Sequence, residues 1–391
     1  MKAVLLLFFH ALRANSLSTL NATVDNGLLT IPSLGISKSV GLTFSALNDV
    51  ISTYFAPLTP PSARNATALL NSKSGVFSYL TLMNGAFVAD APLTLIPQLV
   101  LLLTDVLVTP TPAFAEARAW GGLIELNSSH YAAVASPTRS ARFVCDNETA
   151  APAAVRSTES EHIVVDGLTI VGCGRTEGGG IHVQGTPGVW GPTHTGGTIQ
   201  NNEVSFSGRG VWLEQMTRVA IVNNTLFMNW MHTLDFDAFT ETSVASGNRI
   251  FDSREEAVFI EQGAKGHVVA GNILGPNNSA GVAVFNNDMN VTCGPHVIVA
   301  NEIFGNREGI GAGSTAPRTG TPDVQLTIVG NFVYGNGVGN KTQGVHTNGE
   351  QSGTIYAANV NADGVSKFTQ TFNQANISFV DPLDRETPLD Y

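Results

Sequence analysis

Basic residues are scarce in this chain: of 391 residues only 20 are Lys or Arg, against 31 Asp or Glu, and the formal charge is −11. No basic run exceeds two residues. Nucleic-acid binding needs a Lys/Arg stripe to neutralise phosphates, so no nucleic-acid partner is expected. Cysteine is sparse as well, with Cys145, Cys173 and Cys293 only. Three cysteines make no disulfide framework, and a single bond leaves one thiol over; Cys145 with Cys173 is the favoured pair. Long apolar runs are missing. The stretch Leu93 to Val108 is broken by Pro97, Gln98 and Asp105, is too short and too polar to span a membrane, and reads as strand. There is no HExxH, GxSxG or paired CxxC spacing. Gly172-Cys173-Gly174 and Gly178 to Gly180 are not followed by a lysine or a helical pattern, so they read as turns and not as phosphate loops.

What the chain has in quantity is a repeated phrase, an apolar-x-apolar run followed by Asn, one residue, and an aliphatic or β-branched residue. It occurs at Asn202, Asn224, Asn248, Asn272, Asn301 and Asn331, with gaps of 22, 24, 24, 29 and 30 residues. Periods of that size signal a solenoid, and this unit reads as short strands separated by turns. A single coil cannot bury its apolar face, so coils stack and each strand pairs with its equivalent about 4.8 Å along. An inward Asn then meets the next Asn above and below and hydrogen-bonds along the stack.

The rest of the chain fits around that repeat. Met1-Lys2, the apolar Ala3 to Leu12 and Ala14 read as a signal peptide over residues 1–14, leaving 15–391 as one secreted domain. Nine Asn-x-Ser/Thr sequons suit a secreted glycoprotein, with Asn223 beside the ladder and expected to be inaccessible. A solenoid needs its open end covered; Leu47, Val50, Ile51, Tyr54 and Phe55 at helical spacing ahead of Pro57 predict a capping helix over residues 43–55. Pro110, Pro112 and the Ala/Pro/Thr-rich stretch 148–158 predict loops. The most regular coils are expected over 161–360, with residues 379–391 a tail laid on the last coil.

The phrases His162-Ile-Val-Val-Asp-Gly-Leu-Thr-Ile170 and Val329-Gly-Asn-Phe-Val-Tyr-Gly-Asn336 resemble coil units of the right-handed parallel β-helix superfamily, which includes pectate lyases, polygalacturonases and mannuronan epimerases. Phe379-Val-Asp-Pro382 resembles the ends of such proteins. The fold implied is all-β, a single-stranded right-handed parallel β-helix solenoid with a short N-terminal capping helix. A fold of this kind hosts many activities, so chemistry has to be read from residues.

Counting from each repeat Asn, Val211 and Leu213, Leu234 and Phe236, Val258 and Ile260, Val282 and Val284 form an inward set, extended by Ile181 and Val183. Alternation then sends their neighbours outward. One outward column reads His182, Trp212, Asp235, Phe259, Ala283; the next reads Gln184, Glu214, Asp237, Glu261, Phe285. Like charges opposite each other across strands are destabilising. Stacked carboxylates therefore imply a split in pKa, with one proton-holding acid and one base or nucleophile, or else a cation; the unremarkable alternative is a solvated acidic face. The first case suits glycosidic hydrolysis by Asp237, Asp235, Glu261 and Glu214, with His232 just before the acidic strand as acid, base or orienter. In the second, no cofactor is strictly required but Ca²⁺ is accommodated by the oxygens of Glu214, Asp237 and Glu261, helped by Asn286, Asn287 or Asp288. Trp212, Trp230 and Phe259 flank the acids and offer faces for sugar rings; Arg254 and His182 are further candidates for substrate contact.

The chain resembles polygalacturonases in its Asp-x-Asp strand with an acid one coil away. It lacks their Gly-His-Gly and Arg-Ile-Lys segments and the Asp-Pro-His segment of mannuronan epimerases. No Arg or Lys is expected in the outward columns to act as a lyase base. Three readings stay open: hydrolysis of a polysaccharide, calcium-dependent lyase or epimerase chemistry on a uronate polymer, and a non-catalytic glycan-binding or adhesion solenoid.

Overall fold

The computed structural model describes residues 20–55, 77–117, 121–127, 131–145, 152–174, 178–189, 191–286, 292–314 and 324–336, with the strands 345–347, 355–357, 360–361 and 378–380. The expected signal peptide lies outside them, as does the tail beyond Val380.

The period of the Asn phrase is the period of the coils. From Gly122 onward each coil contributes one strand to a ten-stranded parallel sheet and two strands to a 24-stranded sheet that forms the other walls; before it, Ser78–Ala89 and Leu99–Pro110 are single long strands that take the place of two. Along the ten-stranded sheet, consecutive coils supply Leu93–Thr94, Gly122–Asn127, Ala153–Thr158, Gly179–Gln184, Arg209–Glu214, Leu234–Phe236, Val258–Glu261, Ala280–Asn286, Glu308–Ser314 and Val345–Thr347. The register matches the alternation: Ile181 pairs with Val211, Val211 with Leu234, Leu234 with Val258 and Val258 with Val282. All five are fully buried, and removing each such side chain from water stabilises by about 1.5 to 3 kcal/mol.

The amide ladder is continuous. Asn202 Nδ2 donates to Asn224 Oδ1 at 3.0 Å, and the same bond recurs from Asn224 to Asn248, Asn248 to Asn272, Asn272 to Asn301 and Asn301 to Asn331 at 2.9 to 3.0 Å. Each backbone N–H at this corner also donates to the next Oδ1, as Asn248 N does to Asn272. A second, unforeseen ladder runs through Asn277, Asn306 and Asn336. The sequon at Asn277 is therefore buried, while Asn223, expected to be inaccessible, is exposed because only its neighbour Asn224 turns inward.

At the N-terminal end, helix Phe44–Val50 begins at Thr43, whose side chain accepts from Ala46 N–H, and continues as a wider turn over Ile51–Phe55. Phe44, Leu47, Val50, Ile51 and Phe55 are buried, as a capping plug requires. Three antiparallel strands, Asn21–Asp25, Leu28–Ile31 and Ile36–Ser39, precede it. Leu93 to Val108 is strand in two pieces, Leu93–Thr94 and Leu99–Pro110. The loop expected over 148–158 is shorter than read, since Ala153–Thr158 is a strand of the ten-stranded sheet; Val155 faces the core despite the turn-like composition around it. Cys145 and Cys173 are bonded, with Cα atoms 5.0 Å apart, and Cys293 is a buried free thiol.

Candidate active site

The ten-stranded sheet turns one face inward and carries the candidate acids on the other. The first outward column runs Arg156, His182, Trp212, Asp235, Phe259, Ala283, each paired with the next across adjacent strands. In the second column Gln184 pairs with Glu214, and Glu261 with Phe285. Asp237 lies one residue beyond its strand but keeps the column, because its N–H donates to Leu213 O at 2.9 Å. Glu214, Asp237 and Glu261 thus stand on successive coils of one face.

A third outward row exists that simple alternation does not give. Gly210 and Val211 both donate to Thr233 O, at 2.8 and 2.9 Å, so two consecutive residues of each coil face inward. Small residues mark the position: Ala154, Gly180, Gly210, Thr233, Ala257 and Gly281. A Cβ at Gly180 would come within 2.5 Å of Val204 Cγ1, and one at Gly281 within 2.4 Å of Ile303 Cγ2. The extra residue returns Arg209, His232 and Glu256 to the outer face.

These rows interlock. Arg209 Nε donates to Asp235 Oδ2 at 2.6 Å, and its guanidinium lies 4.2 Å from the Trp212 ring centre. On its other side Trp212 stacks on His182 at 4.1 Å, and its Nε1–H donates to Asp237 Oδ2 at 3.1 Å. Asp237 Oδ1 accepts the Ala238 N–H at 2.6 Å. His182 Nε2 is 2.8 Å from Glu214 Oε2. His232 stacks on Phe259 at 4.0 Å and places Nδ1 2.6 Å from Glu256 Oε2. Polar atoms of His232, Asp235 and Glu261 all lie within 4.8 Å of one another.

The acids are not a solvated face. Asp235 has no exposed surface, Glu261 is 6% and Asp237 7% exposed. Burial pushes Asp235 up to about 8; Arg209 pulls it back, and the charges of Asp237 and Glu261 push it further. Glu261 is pushed up to about 7, by burial first and by Asp237 next. Asp237 is also raised by burial, opposed by its Ala238 and Trp212 bonds. His182 is lowered by burial, with Glu214 opposing and Arg156 and Arg209 assisting. Among the described residues, Asp235 Oδ1 and Arg156 Nε are buried without a hydrogen-bond partner, which marks this face as unfinished in polar terms.

Arginine is the main feature that sequence reading left out. Arg156 and Arg209 both stand on the outer face, contrary to the expectation that the outward columns hold no cation. Arg156 sits in a stretch read as loop, and Arg209 is turned outward only by the extra inward residue. The cation set offered from sequence is rearranged too. Glu214 is joined to His182, while Asn287 and Asp288 lie outside the described residues. Trp212 and Phe259 are 9% and 8% exposed and packed between neighbours, whereas Trp230 is 37% exposed with the Arg254 guanidinium 5.3 Å from its ring. A separate cavity of about 260 Å³, lined by Phe77, Tyr79, Tyr131 and His162 among others, lies on the 24-stranded sheet and shares none of these acids.

Residues 126–294 match a family model described as "Right handed beta helix region". No curated protein matches the sequence. Among solved structures, a polygalacturonase from Erwinia carotovora ssp. carotovora aligns at 10% identity over 77% of this chain and 89% of its own, with a TM-score of 0.51. An alginate lyase from Paenibacillus sp. str. FPU-7 aligns at 14% identity over 82% and 93%, TM-score 0.46. The A-module of an Azotobacter vinelandii mannuronan C-5 epimerase aligns at 12% over 78% and 91%, TM-score 0.47. With its three-walled parallel coils, its family-model match over residues 126–294 and its likeness to the polygalacturonase fold, the chain has a right-handed parallel β-helix fold.

Proposed function

We propose that this chain is a secreted carbohydrate-active enzyme that hydrolyses a polysaccharide by paired-carboxylate catalysis on the outer face of its ten-stranded sheet. The observation that carries this reading is the unequal environment of neighbouring acids. Glycosidic hydrolysis needs one carboxyl that keeps its proton near neutrality and another, close by, that is ionised. Glu261, pushed up to about 7, has the first property and retains a small exposed area. Asp237 is suited to the second, since two N–H donors, from Ala238 and Trp212, favour its anionic form. Asp235, sealed beside Arg209, stands behind them as a structural and electrostatic support.

Asp237 and Glu261 are one coil apart. The strand spacing of about 4.8 Å is nearer the roughly 5 Å carboxyl separation of retaining glycosidases than the wider gap of inverting ones, so Asp237 acts as nucleophile and Glu261 as acid. Trp230, with Arg254 beside it, offers the accessible ring against which a sugar stacks. The reaction so drawn requires no cofactor.

Purified protein incubated with a panel of plant and algal polysaccharides, with and without Ca²⁺, tests the reading. Reducing ends should appear, with retained anomeric configuration by NMR, and should survive chelation. Asp237→Asn and Glu261→Gln should each slow release by about 100-fold or more while leaving the thermal midpoint nearly unchanged. Retained turnover, or wholesale unfolding, overturns the assignment. A second reading, elimination or epimerisation on a uronate polymer, is favoured by one observation, the outward Arg156 with its unpartnered Nε. Products carrying an unsaturated uronate absorbance that vanish on chelation would select it, and glycan binding with no product would select a non-catalytic solenoid.

A further inference from the structure

Glu256 occupies the third outward row, one coil after His232. Its two carboxylate oxygens are both used: Oε2 lies 2.6 Å from His232 Nδ1, and Oε1 accepts the Ser279 hydroxyl at 2.6 Å. Ser279 belongs to the next coil again, so three successive coils are tied across this row. The imidazole is clamped by Phe259 at 4.0 Å with its plane 20° from the phenyl ring. With Nδ1 engaged by Glu256, the opposite edge of His232 is what remains for Asp235 and Glu261, the two acids whose polar atoms lie within 4.8 Å.

We propose that Glu256, braced by Ser279, is the positioning residue of this site: it fixes His232 as an Nδ1–H donor so that the imidazolium's other edge faces Glu261 and stabilises the carboxylate left there once Glu261 has given up its proton. The inference rests on the hydrolytic reading and deepens it. When Glu261 has protonated the leaving oxygen it is left as a carboxylate. Glu261 regains its proton from the water that hydrolyses the glycosyl-enzyme: a water O–H bond breaks, an O–H bond forms on Glu261, and the water oxygen bonds to the sugar carbon as its ester bond to Asp237 breaks. His232, its side chain 17% exposed, keeps its own proton through the cycle and acts through its charge. The same arrangement, a carboxylate holding one imidazole nitrogen so that the other is aimed, fixes tautomers in many sites.

The charged groups around the imidazole support this. Glu255 and Glu256 face it from the following coil, with Glu255 Oε2 at 3.4 Å; Asp235 faces it from its own strand, Glu261 from the next, and Arg209 stands beyond Asp235. Burial lowers the pKa of His232, but the Glu256 bond and the charges of Asp235, Glu256 and Glu255 outweigh it and the net direction is upward. Glu256 is lowered: burial opposes, and the bond to His232, its charge and the Ser279 bond prevail.

NMR titration of isotopically labelled histidine in the full chain, compared with Glu256→Gln and Ser279→Ala, tests the proposal without any substrate. In Glu256→Gln the His232 titration should fall by about one pH unit or more, a tenfold loss of proton affinity, and its Nδ1–H tautomer should lose dominance. Ser279→Ala should shift it less, in the same direction. A His232 titration and tautomer unchanged in Glu256→Gln overturn the proposal. On a polysaccharide that the wild type cleaves, Glu256→Gln should lower kcat with KM unchanged, and the loss should shrink as pH falls and the imidazolium is restored; a loss equal at every pH overturns the electrostatic role of His232. If the wild type cleaves none, the hydrolytic reading fails while the NMR result still decides the positioning of His232.

Discussion

Two stacks of like side chains climb the same coils, one inside and one outside. Inside, Asn202 to Asn331 meet amide to amide, and each side chain donates upward and accepts from below at 2.9 to 3.0 Å. Outside, Glu214, Asp237 and Glu261 repeat at the same spacing, but a carboxylate only accepts. Parallel in-register stacking multiplies whatever a side chain does to a copy of itself. For an amide that is a hydrogen bond, for a carboxylate a repulsion. The outer stack is therefore tolerated only with imported partners, His182, Arg209, Trp212 and the Ala238 N–H, or with retained protons. A chain that needed only stability would gain nothing from it, which is why the outer column reads as function and the inner one as architecture.

Breaking the inner stack should have the largest effect on folding. Asn248→Ala removes the acceptor of the Asn224 N–H and side-chain amide, both at 3.0 Å, and the donor to Ile221 O at 2.9 Å. Each buried group left unpaired costs about 1 to 3 kcal/mol, so the variant should lose roughly 3 kcal/mol or more by chemical denaturation. Asp235→Asn, which keeps the shape and the acceptor for Arg209, should cost far less at neutral pH. Equal costs would erase the distinction between the stacks.

Titration sharpens the comparison, since buried groups on the two sides shift in opposite senses of stability. His267 and His296 point inward, stacked at 5.3 Å. Burial drives His267 down to about 3 and His296 well below its ordinary value, with His267 adding to the latter. The unfolded chain binds protons there that the folded chain refuses, so stability is lost as pH falls below about 6.5. Asp235, raised to about 8, is the reverse: the folded state binds the extra proton, and stability is lost as pH rises from about 4 to 8. Asp235→Asn should remove only the second slope. Relative to wild type it should gain about 1.4 kcal/mol per pH unit across that window. A difference that does not change with pH would mean that Asp235 is ionised in the folded protein.

The contrast also marks what could be read from residues alone. The Asn phrase and the apolar pairs Val211/Leu213 and Leu234/Phe236 carry their periods openly, so the coils, the ladder, the plug at Phe44–Val50 and the two outward columns, with the carboxylate stack in one of them, were legible. Arg209 and Glu256 were not placed on that face, and His232 was offered only as the residue just before the acidic strand, because period-two counting fails where two successive residues turn inward. The signal was present as the column Ala154, Gly180, Gly210, Thr233, Ala257, Gly281, small residues at one register where a larger inward side chain would strike Val204 or Ile303. The pairings of His182 with Glu214 and of Trp212 with Asp237 depend on side-chain reach across coils, which spacing does not encode.

The smallest effect is expected at the rim. Trp230 is 37% exposed and lies under Arg254 at 5.3 Å, an exposed cation–π contact of about 0.5 to 1 kcal/mol. Trp230→Ala should therefore change stability by no more than about 1 kcal/mol. If the accessible ring carries a sugar, the same variant should raise KM on a long polysaccharide several-fold and leave kcat alone, because a platform outside the reacting centre binds ground and transition states alike. Trp212→Phe is the counterpart inside the site. It keeps most of the ring between His182 and Arg209 but removes the Nε1–H that Asp237 Oδ2 accepts, so it should lower kcat with little change in KM. Should Trp230→Ala lower kcat instead, the boundary between rim and reacting face would be misplaced, and the successive turns that carry Trp230 and Arg254 would belong to the reacting centre.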